Sequence, residues 1–226
     1  MSLLARPHYP DYSTAPVQHQ FYPYADNGGS VVAIAGDDFV VIGADTRLSA
    51  GFSIYTRNQN KLFPLAKTTV LGCSGCWCDT LTLTRILKSR MQMYAQEHNK
   101  TMSTTACAQM LSTMLYYKRF FPYSISNVLV GLDNEATTLS GTAKRRFTKL
   151  GGSAGALLQP LLDNQIGQKN MEIVSKEPLS QEKALKILKD VFISAAERDI
   201  YTGDSVFINI ITKDGIQEDK FELRKD

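Results

Sequence analysis

The chain has 226 residues, 43% hydrophobic and 21% charged, with a formal net charge of +3. That content suits a globular fold burying roughly 70% of its unfolded surface, and the interspersed acids and bases exclude the basic stripe that nucleic-acid binding needs. No run approaches the ~18 apolar residues of a membrane span, and the N-terminal part lacks the roughly seven-residue apolar core of a signal peptide, so a soluble protein with no nucleic-acid or membrane partner is expected.

Residues 1–27 read as an extended arm, because Pro7, Pro10, Pro16 and Pro23 exclude helix and the apolar residues keep no period. One domain is expected over residues 28–226. After Gly28-Gly29, Ser30 to Ala35 and Phe39 to Ala44 form two Val/Ile-rich runs around Gly36-Asp37-Asp38, a hairpin signal. Short strands are expected at Phe52 to Tyr55, Leu62 to Leu65 and Thr69 to Cys73.

The period then becomes helical. Leu83, Ile86/Leu87, Met91 and Tyr94 mark one face of a helix from Asp79 to Glu97; Cys107, Met110/Leu111 and Met114/Leu115 mark another, capped by Ser103 and stopped before Pro122. Strands follow at Ser126 to Leu132 and Phe147 to Leu150. A helix from Ala154 to Gln165 contains Pro160, which a helix tolerates only in its first turns or at a kink. Ser180 caps a long helix with the stripe Ala184/Leu185, Leu188, Val191/Phe192 and Ala195. The chain closes with strands at Ser205 to Thr212 and Ile216 to Leu223 around Lys213-Asp214-Gly215. The order of elements predicts an α+β fold with two stacked sheets between two helix layers.

Cys73, Cys76 and Cys78 crowd together, but with Cys107, His8, His19 and His98 they keep no zinc-ligand spacing. Reduced, mostly buried thiols and no metal or other cofactor are expected. The basic cluster Lys144-Arg145-Arg146, with Lys149 beyond it, reads as a solvated loop or hairpin edge.

Gly28-Gly29 before a buried strand, Gly43-Ala44-Asp45-Thr46-Arg47, Gly51, Lys61, Gly72-Cys73-Ser74-Gly75, Gly152-Ser153 and Arg198-Asp199-Ile200-Tyr201-Thr202-Gly203-Asp204 together resemble a proteasome beta subunit from about Phe21 to the end. Four longer strings resemble one type of subunit within that family: Phe52 to Ile54, Arg119 to Tyr123, Gln159 to Gln165 and Asp190 to Asp199. The resemblance implies the four-layer αββα sandwich of N-terminal-nucleophile hydrolases, with paired antiparallel sheets. One stretch departs from it: Asn134 to Ala143 and the basic cluster stand where relatives carry a longer hairpin.

Active members of the family use a threonine freed at the N-terminus by propeptide cleavage, with its own α-amine as base and a nearby lysine and aspartate ordering the site. A hydroxyl is a weak nucleophile until a neighbouring base takes its proton. The resemblance places the aspartate at Asp45, the lysine at Lys61 and the nucleophile at Gly29, which has no side chain. Ser153, Asp199 and Thr202 fall at the supporting hydroxyl and carboxylate positions. These six are expected to be vestigial, holding strand ends by ion pairs and hydrogen bonds.

Ser30 is one residue away, but alternation along a strand points it off Lys61. The implied role is a non-catalytic structural subunit of the beta ring of the 20S core particle, serving ubiquitin-dependent and ubiquitin-independent degradation in cytoplasm and nucleus. Its partners would be the other beta subunits of a seven-membered ring, the opposite beta ring and the alpha-ring subunits. The competing reading is an active threonine or serine N-terminal-nucleophile peptidase. A ring of identical subunits is disfavoured, since an inactive chain could not sustain it.

Overall fold

A computed structural model describes residues 22–133, 137–139, 142–143, 147–167 and 179–224. Most of the N-terminal arm and the Lys144-Arg145-Arg146 cluster lie outside these residues.

The Val/Ile-rich runs after Gly29 form β1 (Ser30–Ala35) and β2 (Val40–Asp45), paired antiparallel with Val31 opposite Ala44. Every residue of both strands is buried, as expected of strands covered on both faces. Val32, Ile34 and Val41 turn to one side and Val31, Ala33, Val40 and Ile42 to the other, following the two-residue side-chain period. The sheet is completed by β10 (Phe147–Gly152), β11 (Ser205–Thr212) and β12 (Gly215–Glu222), in the order β10-β1-β2-β11-β12.

The second sheet joins β5 (Leu62–Ala66), β6 (Thr69–Gly75), β7 (Ile125–Leu132), β8 (Thr137–Leu139) and β9 (Thr142–Ala143) in chain order. A separate ribbon pairs β3 (Leu48–Ala50) with β4 (Ser53–Thr56). The sequence does not announce β3, which is three residues long and carries no β-branched residue.

Among the described residues four α-helices cover the sheets: α1 (Trp77–His98), α2 (Thr104–Tyr117), α3 (Gly155–Leu162) and α4 (Gln181–Ala196). Ser103 and Ser180 cap α2 and α4 as expected, accepting from the N–H groups of Ala106 and Lys183. Leu83, Leu87 and Met91 bury the inner face of α1, whereas Ile86, one residue off that stripe, is 37% exposed. On α4 the buried stripe also takes in Ile187. The helix expected to Gln165 ends at Leu162, two residues after Pro160, and passes into a wider π turn over Asp163–Gly167.

Three cores stack between the layers. Leu188 and Phe192 of α4 and Leu158 of α3 pack on Val32, Ile34 and Ile208. Val31, Ile42, Leu62, Val70 and Val130 fill the space between the sheets. Leu71 and Leu129 meet Leu83, Leu87, Cys107 and Leu111. Truncating a fully buried leucine such as Leu188 to alanine costs about 2–5 kcal/mol in cores of this kind. The result is the αββα sandwich.

Cys73, Cys76 and Cys107 are buried and Cys78 is exposed, all as free thiols. Burial pushes the Cys107 thiol up to about 11, which leaves it protonated at neutral pH.

Candidate functional site

The start of β1, the ends of β2, β6 and β10 and the entry to β11 converge at one end of the sandwich. Ser30 lies opposite Gly152, Asp45 opposite Val206, and the Gly75 N–H donates to the Gly28 carbonyl at 3.2 Å. All six expected site residues meet there, in two adjoining clusters.

In the first cluster, Lys61 extends from just before β5 so that Nζ reaches both Asp45 oxygens, at 2.9 and 3.0 Å, and the Arg47 carbonyl at 2.6 Å. The Asp45 carboxylate also accepts the N–H groups of Ser30, at 2.7 Å, and Arg47, at 3.2 Å. Lys61 is 1% exposed and Asp45 fully buried. Burial pushes the Asp45 carboxyl above the usual carboxylate range, against the pull of Lys61 and of the two N–H donors.

Gly29 faces this pair. Its φ is +90°, and a Cβ built on it would sit 2.0 Å from Lys61 Nζ and 2.8 Å from Asp45 Oδ1. The residue position that looks onto the lysine therefore carries no reactive atom, and a side chain there collides with the ammonium group.

The second cluster joins Ser153, Asp199 and Thr202. Ser153 Oγ and Thr202 Oγ1 both donate to Asp199 Oδ2, the latter at 2.7 Å, while the Tyr201 N–H donates to Asp199 Oδ1 at 3.1 Å. The Gly29 carbonyl accepts from the Ser153 N–H at 3.0 Å and from its hydroxyl at 3.3 Å. Ser30 turns into this cluster, its Oγ 2.7 Å from Thr202 Oγ1 and accepting from the Ala154 N–H at 3.3 Å. The alternation argument for Ser30 agrees with this placement.

Several residues that matter here are given no role by the sequence, although Arg47, Gly203 and Asp204 stand in the strings that carry the resemblance. Asn27 Nδ2 donates to the Ser49 carbonyl at 3.0 Å, and its Oδ1 accepts the Trp77 N–H at 2.9 Å. Asn27 thereby caps α1 from the arm, since Cys76 offers no side-chain cap. Arg47 pairs with Asp204 at 3.0 Å and donates to the Ile200 carbonyl at 2.9 Å, and Arg57 joins the same carboxylate. Gly203 makes room for that guanidinium: a Cβ there would lie 2.5 Å from Arg47 Cζ. An arginine set between Asp45 and the apolar Leu48 needs a buried carboxylate partner, and that was the signal available.

The fold and the site define the N-terminal-nucleophile sandwich class. The chain belongs to the proteasome subunit family, whose profile, described as Proteasome subunit, matches residues 25–211. It is 54% identical over 235 aligned residues to the proteasome subunit beta type-1 of Drosophila melanogaster, covering 100% of both chains. It is 55% identical over 219 residues to the beta type-1-B subunit of Carassius auratus, covering 94% of this chain and 92% of that one. The Arabidopsis thaliana beta type-1 subunit is 46% identical over 214 residues, covering 90% and 96%. The subunit type that the four strings noted above resemble is the beta type-1 of these relatives. Assembly with other proteasome subunits follows from membership of the family.

Proposed function

We propose that this chain is a non-catalytic subunit of the beta ring of the 20S core particle. It fills one place in a seven-membered ring, contacts the opposite beta ring and the alpha-ring subunits, and serves ubiquitin-dependent and ubiquitin-independent degradation in cytoplasm and nucleus. One observation carries the reading: Gly29, the position facing Lys61 and Asp45, has no side chain, and a Cβ there would meet Lys61 Nζ at 2.0 Å.

Asp45 and Lys61 are the observation that favours the rival, an active threonine or serine peptidase. Their contacts support a structural role instead. Lys61 is saturated by Asp45 and the Arg47 carbonyl, and Ser30, the nearest hydroxyl in sequence, bonds Thr202 and Ala154. A general base must stand within hydrogen-bond reach of the proton it takes.

The test uses particles purified from cells carrying a tagged copy of the chain, treated with a mechanism-based probe that acylates N-terminal nucleophiles. The expected result is label on other beta subunits and none on this chain, with particles lost when the chain is depleted. Label on Ser30, or full yields of active particles without the chain, would overturn the proposal. Imaging of the tagged chain tests the localisation, which fails if the tag is excluded from the nucleus or the cytoplasm.

A further inference from the structure

A groove of about 310 Å³ runs between α1 and α2 on the outer face of the sandwich, lined by Ile86, Arg90, Thr113, Tyr117, Lys118 and Tyr123 over the buried Met114. No acid lines it. Arg90 and Lys118 are both exposed, and the ion pairs among the described residues involve neither.

At the Lys118 end the surface is aromatic. Tyr116 is 67%, Tyr117 85% and Phe120 87% exposed. Arg119 lies 4.5 Å from the Phe120 ring centre and donates to the Tyr116 hydroxyl at 2.7 Å. Exposed tyrosine, phenylalanine and arginine gathered beside a groove are the composition of interface cores rather than of free surface.

The charges restrict what covers it. A purely apolar partner would strip water from Arg90 and Lys118 and leave neither with a carboxylate, Lys118 keeping only the Tyr123 ring with its centre 6.0 Å away, which low-dielectric burial penalises, and a basic partner would be repelled. A partner carrying carboxylates satisfies both cations and leaves its apolar side chains to the groove floor.

We propose that this groove receives a segment of a neighbouring proteasome subunit that sets an apolar side chain between Ile86 and Tyr117 and Asp or Glu carboxylates against Arg90 and Lys118. The proposal rests on the reading of the chain as a ring subunit.

The experiment compares incorporation of tagged chains into core particles. Arg90→Glu/Lys118→Glu is expected to lower incorporation about tenfold, as expected for reversed charges at an interface, while Lys183→Glu/Lys186→Glu on the exposed face of α4 matches the parent. Incorporation of the groove variant at parental level overturns the groove and leaves the subunit reading standing. Absence of the parent chain itself from particles overturns both. Because a charge-reversed chain can fail for other reasons, a photoreactive side chain at Tyr117 in the otherwise unaltered chain supplies a second readout. Crosslinking to a subunit segment that carries Asp or Glu beside the crosslinked residue supports the proposal. Crosslinking to a segment without acids, to nucleic acid or to a second copy of this chain, or no crosslink in assembled particles, overturns it.

Discussion

The side-chain oxygens of Ser30 and Thr202 lie 2.7 Å apart in the buried end of the site, while Lys61 Nζ is taken up by Asp45 and the Arg47 carbonyl. The hydroxyl nearest to Gly29 in sequence is therefore committed to the carboxylate cluster around Asp199. Ser30→Ala should leave the peptidase activity of assembled particles unchanged and destabilise the chain by about 1 kcal/mol, the usual worth of such a bond. Activity lost in proportion to the incorporated variant would show that Ser30 does chemistry.

Gly29→Thr supplies the missing oxygen but not a site that fits it. The residue sits at φ +90° with Lys61 Nζ 2.0 Å from the position of its Cβ, and a threonine in that backbone region costs about 1–3 kcal/mol before any clash. The α-amine that would serve as base also exists only after cleavage. With the native active subunits inhibited, particles carrying the variant should show no new activity and no chain beginning at the introduced residue. A chain starting there and labelled by the probe would prove the scaffold competent.

Breaking the Asp45–Lys61 pair should be costly for a structural reason. Lys61→Met leaves a carboxylate with no solvent access, a change worth about 3–5 kcal/mol when one partner of a buried pair is removed. Soluble yield and incorporation should collapse, and Asp45→Asn/Lys61→Met should recover part of the loss. Whatever particles form should keep their specific peptidase activity. A fall in activity per particle at normal incorporation contradicts the structural role.

Asp204 gives the chain an acid-sensitive joint. Burial raises its carboxyl, but hydrogen bonds and charge from Arg47 and Arg57 outweigh that and hold it below its ordinary 3.8. A carboxylate with a lowered folded pKa contributes stability that is complete above the unfolded value and lost as pH falls through the folded one. Unfolding by acid should therefore steepen below about pH 4, followed through the fluorescence of Trp77, the one tryptophan of the chain. Asp204→Asn keeps a residue type tolerant of the φ of 70° found there; it should be less stable at neutral pH and lack the steep acid limb. Superimposable pH profiles for parent and variant would remove the carboxylate from the account.

Processing is the last expectation. Asn27 is tied to Ser49, Gly75 and Trp77 by backbone and side chain, so trimming by active neighbours should stop before it, with a mature start near Gln20 or Phe21. Terminal sequencing of the chain from particles decides, and Ser30 as the first residue contradicts both this and the non-catalytic role.

Much of the fold is legible because its strongest elements carry redundant signals. β1 and β2 are runs of Val and Ile around a Gly-Asp-Asp turn, and α4 has both a serine cap and a continuous apolar stripe. β3 gives no such signal, and its pairing with β4 depends on tertiary position. Asp45, Lys61 and Gly29 are legible through their spacing and the family resemblance. The Arg47–Asp204 pair spans 157 residues of sequence, and only the closure of β11 onto β2 brings it together. Asn27 resembles any polar residue before a Gly-Gly turn until the chain folds back beside Trp77.

The cap that Asn27 places on α1 bears on how such a subunit evolves. The family resemblance implies that a self-cleaving subunit discards everything ahead of its nucleophile and cannot build with it. On the proposed non-catalytic reading the residues ahead of Gly29 are not cut away at that point and stay available for structural duties, such as the hold of Asn27 on the first turn of a helix 22 residues long. A mutation that introduced cutting at Gly29 would sever that cap in the same event. On that reading, each contact of this kind adds a cost to cutting at Gly29, borne by residues that take no part in the chemistry.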